Sequence, residues 1–172
     1  MSPTGEADIL PSGWNDTGGC APATATRLAG GFAAAALAVL TVQSATLAIF
    51  YAAGAPVPFP PWSMAPVPPL GVPVTLSAAF WGGLWGVAYA LLEPRLTARL
   101  GWWAGGLAFG ALPLLALWFV ALPLKGLPVG GGFAPAGVLV AVVLHAVFGV
   151  GTAAFFRAGR GLLGRGARLT PA

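Results

Sequence analysis

The side chains able to do chemistry in this chain are few. They are His145, the single histidine; Glu93, the one acid outside residues 1–26; Tyr89, one helical turn before it; and Gln43, with Ser44 and Thr46 beside it. A histidine that titrates near about 6.5 can relay protons, and an imidazole can also serve as an axial ligand of a haem iron. A relay needs further titratable groups at the same depth, and Glu93 is the nearest on offer. Bis-histidine ligation needs a second imidazole, which the chain lacks, and Met1 and Met64 fall in an N-terminal arm and a loop. A simpler use is a neutral His145 hydrogen-bonded to Gln43 or to the Phe109 carbonyl, which Pro113 leaves without its helical donor. Bonds of this kind between helices in a membrane average about 0.6 kcal/mol. The sequence has no phosphate-binding glycine loop, no dinucleotide fingerprint, no metal-spaced His, Cys, Asp and Glu cluster, and no nucleophile with a matching base. No enzyme, no cofactor and no metal site are therefore expected.

The elements that must position these residues are apolar. Of 172 residues, 58% are hydrophobic and 7% are charged. Between Leu28 and Phe156 the charges are Glu93, Arg95, Arg99 and Lys125, all between long apolar blocks. An ionised side chain at the centre of a bilayer costs at least about 2.5–3.5 kcal/mol, so charges kept at block ends mark a chain written for lipid. A span needs roughly 20 helical residues. Four blocks qualify, at about 28–53, 74–92, 102–122 and 134–156, and proline, glycine or arginine is expected to end each of them. The expected fold class is all-α, an integral membrane bundle of four transmembrane helices. Residues 1–26 read as a disordered arm, 27–158 as the membrane domain and 159–172 as a basic tail. The proline-rich connector 54–73 is expected to be an extended, stiff loop outside the hydrocarbon.

Orientation follows from counting basic residues on the two sides that four crossings define. Arg27, Arg95, Arg99, Arg157, Arg160, Arg165 and Arg168 fall on one side, with Lys125 alone on the other. The positive-inside rule then puts both termini in the cytoplasm, and the composition suggests a bacterial inner membrane. Arg157, Arg160, Arg165 and Arg168 are expected to meet anionic lipid headgroups, at roughly 1 kcal/mol each, rather than nucleic acid. Glu93 is expected to form a rim ion pair.

Helices in lipid associate by close backbone approach, which small residues four apart permit. Helix 2 offers Gly82, Gly86 and Ala90. Helix 3 offers Gly101 with Gly105 and Gly106 with Gly110, and helix 4 offers Gly137, Ala141, His145, Gly149 and Ala153. Such stripes can hold one bundle together or dock a second subunit. Trp81, Trp85 and Tyr89 form a line expected to look into the bundle or onto a partner. An internal echo is also legible: Arg27 to Gly31 matches Arg99-Leu100 followed by Ala104 to Gly106, and Trp85-Gly86-Val87 matches Phe148-Gly149-Val150. It predicts that helices 1–2 and 3–4 are parallel copies.

Three segments, Phe80 to Gly86, Pro123 to Pro128 and His145 to Gly149, give the chain its family likeness. Over residues 27–158 it resembles a group of small, uncharacterised bacterial four-span membrane proteins. The resemblance implies the four-span fold and no activity, and it marks Lys125 and His145 for testing together. The expected function is that of a non-enzymatic accessory or structural subunit of a membrane assembly or homo-oligomer in the lipid bilayer. An oligomeric transporter or channel is the alternative, and a haem-binding electron-transfer subunit through His145 is a third.

Overall fold

The computed structural model describes the backbone of residues 20–166 and the side chains of 24–162; the expected disordered arm over 1–19 and the tail beyond 166 lie outside the described residues. The chain is mostly helical, in the order α1 (Cys20–Ala38), a π turn (Val39–Gln43), α2 (Ser44–Ala52), strands β1 (Pro66–Val67) and β2 (Val72–Pro73), α3 (Val74–Ala116), a second π turn (Leu117–Ala121), α4 (Leu122–Leu124), a 3-10 turn (Val129–Phe133) and α5 (Pro135–Gly166). Three continuous stretches, Thr24–Ala52, Val74–Leu124 and Pro135–Leu162, are long and apolar enough to cross a membrane.

The stretch Val74–Leu124 has 51 residues. At about 1.5 Å per residue it would run for roughly 75 Å if straight, more than twice the hydrocarbon thickness. It is not straight. Gly101 has φ 76° and ψ 172°, inside a helix otherwise continuous, a backbone region essentially closed to other residues. The rings of Tyr89 and Phe109 have centroids 5.0 Å apart, where a straight helix would place residues so far apart in sequence about 30 Å from one another. The chain therefore reverses at Gly101, and α3 has two antiparallel arms, 74–100 and 102–116.

Helix ends differ from those expected at the prolines. The first arm runs through Pro94 to the break at Gly101, and the helix that follows the second π turn runs through Pro123 to Leu124. A proline removes one donor and crowds the carbonyl four residues back. Here that loss at Pro94 is offset because the added turns place Leu96 against the core. At the other termini, α1 begins at Cys20, inside the segment expected to be disordered, and α5 continues past Arg157 to Gly166.

The helices meet through glycine, and the same crossing occurs twice. A Cβ added at Gly86 would land on the carbonyl oxygen of Gly31, and one added at Gly149 would land on the carbonyl oxygen of Gly106. Conversely, a Cβ at Gly31 would come within 2.8 Å of the Ala90 Cβ, and a Cβ at Gly106 within 2.8 Å of the Ala153 Cβ. One contact joins α1 to the first arm of α3, and its counterpart joins the second arm to α5. These are the glycines aligned by the internal echo. Gly82 and Gly110 also sit against neighbouring helices, below the side chain of Val39 and the carbonyl of His145 respectively. Gly137 meets nothing within 4 Å and Gly101 forms the reversal, so neither belongs to a packing stripe.

Between the crossings lies an aromatic core. Tyr89 packs edge-on against Phe109 and Phe156, Trp85 edge-on against Phe109, and Phe148 beside Phe109. Trp81 does not continue this face; it is 61% exposed. Residues four apart drift by about 40° per step around a helix, so Trp81 is turned about 80° away from Tyr89.

The proline-rich connector, expected as an extended, stiff loop, is packed along the helices. Ala55, Val57 and Phe59 are turned inward and Pro56, Pro58 and Pro60 outward, the two-residue alternation of extended chain. The inward side chains pack on Leu47, Val140 and Leu144 of α2 and α5. The Trp62 indole then donates to the Leu40 carbonyl at 3.0 Å, inside the first π turn. After the β1–β2 hairpin, the Thr75 hydroxyl donates to the Ser63 carbonyl at 2.8 Å, fastening the start of α3 to the connector.

Candidate functional site

The polar groups gather at the end of the structure where α3 reverses. Glu93 is carried there by the first arm and Thr97 one turn later; Arg27 comes from α1, Arg157 and Arg160 from α5, and Trp102 from the first turn of the second arm. Glu93 Oε2 accepts from Arg27 Nη2 and from Arg160 Nη1, each at 3.1 Å. Its other oxygen accepts from the Thr97 hydroxyl at 3.5 Å. The carboxylate is 15% exposed, against 36% for Arg27 and 59% for Arg160. The Arg27 pair is therefore the better shielded from water, and the Arg160 pair contributes less. Arg27 Nε is buried without a hydrogen-bond partner among the described residues.

The two remaining cationic contacts are with rings. The Arg157 guanidinium lies 5.9 Å from the Trp102 ring centroid and the Arg160 guanidinium 5.9 Å from that of Phe156, within reach of the ring quadrupole. A cavity of about 170 Å³ opens among Tyr89, Glu93, Thr97, Trp102, Arg157 and Arg160. Tyr89 is its inner wall, almost wholly buried.

The other expected site residues do not join this group. His145 lies on α5 with Nδ1 2.8 Å from the Ala141 carbonyl of its own helix. A carbonyl can only accept, so Nδ1 carries the proton. The expected bond from His145 to Gln43 or to the Phe109 carbonyl is not made, because the imidazole reaches a carbonyl one turn back without any second element. Gln43 Oε1 is buried and has no partner among the described residues. Lys125 is exposed in the connector 125–128, and the hydrogen bond of His145 goes to Ala141 instead. Of the arginines expected at lipid headgroups, Arg157 and Arg160 line the cavity; the Arg165 side chain and Arg168 lie outside the described residues. Among the described residues no group of three or more His, Cys, Asp and Glu side chains could hold a metal ion.

Sequence reasoning missed both partners of Glu93. They lie 66 and 67 residues away, beyond any local spacing rule, and Arg95, two residues on, is exposed instead. The available signal was stoichiometric: a single acid placed among several arginines assigned to the same side. No protein-family model, curated protein or solved structure matches this chain.

Proposed function

We propose that this chain is a non-enzymatic bacterial inner-membrane protein that crosses the bilayer four times, with both ends and the Glu93 cluster in the cytoplasm. In this reading the two arms of α3 are separate crossings joined by a short inner turn at Gly101, and the whole is a four-helix bundle of two parallel hairpins. Its role is that of a small structural or accessory subunit of a membrane assembly.

One observation carries the choice of a packed subunit over a transporter. Five polar side chains along the helices satisfy themselves locally: Thr41 donates to the Leu37 carbonyl, Ser44 to Val39, Thr46 to Val42 and Thr152 to Phe148, while His145 pairs with Ala141; Gln43 Oε1 is the exception, buried with no partner among the described residues. A path for ions or protons needs polar groups facing one another across a cavity. Here those five face back along their own helices, and the helices meet at backbone contact at both glycine crossings. Extraction of the tagged full chain in a mild detergent, followed by size-exclusion chromatography and mass spectrometry, tests the role. Co-elution with a second membrane protein in fixed ratio is expected; a monomer that elutes alone contradicts it.

A further inference from the structure

We propose that the cavity beside Glu93 is a binding site for a phosphate group, held between Arg157 and Arg160 at the cytoplasmic membrane surface. This rests on the membrane orientation given above. Arg157, Arg160 and Glu93 line about 170 Å³ of open volume, and because Arg27 also pairs with that carboxylate from outside the lining, the cluster carries more positive than negative charge. That volume is many times the 10–15 Å³ or so that a single water needs. The carboxylate's lone pairs are already engaged by Arg27, Arg160 and Thr97. Arg157 has no carboxylate or hydrogen-bond partner among the described residues; its contact is the Trp102 ring, which holds the guanidinium at the cavity. A planar guanidinium in that position presents paired donors to phosphate oxygens.

The remaining walls fit a phosphate ester better than a bare ion. Trp102 and Phe156 give the cavity an apolar side toward the helices, and the Tyr89 ring closes its inner end. An anionic phospholipid would put its headgroup phosphate at the arginines and its glycerol and first methylenes along those rings. A free phosphate ester would use the arginines alone. Glu93 serves as a positioning residue, fixing Arg160 and Arg27 from two different helices before any ligand arrives.

The test uses the full-length protein, purified in a neutral detergent. Binding is measured by native mass spectrometry and by thermal shift with three probes: short-chain phosphatidylglycerol, short-chain phosphatidylcholine and inorganic phosphate. Phosphatidylglycerol is expected to bind and phosphatidylcholine not. Losing one charge-assisted contact should weaken binding at least about tenfold in Arg157→Gln. Arg157→Lys should recover part of that loss, and Arg95→Gln, an exposed arginine near the same reversal, should leave binding unchanged. Competition by inorganic phosphate at low millimolar concentration would identify a free phosphate ester as the ligand; its failure to compete would identify the lipid. Equal binding by wild type and Arg157→Gln, or an equal loss in Arg95→Gln, overturns the site. Resistance of the protein to carbonate extraction from membranes is read separately, so a failed site and a failed membrane assignment give different results.

Discussion

Placing one methyl group at Gly86 puts the crossing of α1 and α3 to a quantitative test. The added Cβ would lie 2.5 Å from the Ala35 Cβ and 2.8 Å from the Gly31 carbonyl carbon, besides striking the Gly31 oxygen. Carbon atoms prefer about 3.5–4.0 Å, so the helices must part by roughly 1 Å, a gap that forfeits a quarter to a half of each contact across the seam. The obstacle is backbone, which has no rotamer to escape into. Overpacking of this kind costs about 1–3 kcal/mol, while alanine returns up to about 1 kcal/mol of helix propensity, leaving a net loss of about 1–2 kcal/mol for Gly86→Ala. Gly149→Ala should lose a similar amount, because its Cβ would fall 2.8 Å from the Gly110 nitrogen and on the Gly106 oxygen. Gly137→Ala, with nothing within 4 Å, should be neutral or slightly stabilising. Equilibrium unfolding in mixed micelles with rising dodecyl sulfate, followed by tryptophan fluorescence, measures all three. Equal midpoints for Gly86→Ala and Gly137→Ala would refute the close crossing.

Gly101→Ala should cost about 1–3 kcal/mol in the same assay, since its positive φ is the whole obstacle and no neighbour lies within 4 Å. Glu93→Gln keeps an acceptor oxygen but removes the negative charge shared by Arg27 and Arg160, and should destabilise by about 1–2 kcal/mol, an effect reduced by high salt because the Arg160 pair is largely exposed. His145→Leu should change stability by less than about 1 kcal/mol, since its one bond is to its own helix; a loss several times larger would show that His145 fastens helices together.

The glycine contacts were legible in the sequence because their physics is local: a backbone that must approach another backbone can carry no side chain there. The Gly31, Gly86, Gly106 and Gly149 pattern therefore survives into three dimensions. Pro94 misled for the converse reason. A proline's local penalty is fixed, but the packing gained beyond it, as at Leu96, depends on elements far along the chain. The partners of Glu93 were hidden in the same way, with 66 and 67 residues between them. The fold of the connector depended on the π turn at Val39–Gln43, where the Leu40 carbonyl meets the Trp62 indole, and no hydrophobic period reveals such a turn. Tyr89 and Glu93 were singled out correctly as neighbours on one helix face, but the cavity they line needed the reversal at Gly101 to bring Trp102 across.

Threading through the membrane is the claim on which the rest depends, and cysteine accessibility reads it directly. In a Cys20→Ser background, single substitutions Met64→Cys, Leu100→Cys, Leu127→Cys and Leu162→Cys each fall at an exposed side chain. A membrane-impermeant maleimide applied to intact cells should label positions 64 and 127 and reach 100 and 162 only after the membrane is permeabilised. Labelling of position 162 in intact cells, or protection of position 64, would contradict four crossings with a cytoplasmic Glu93 cluster.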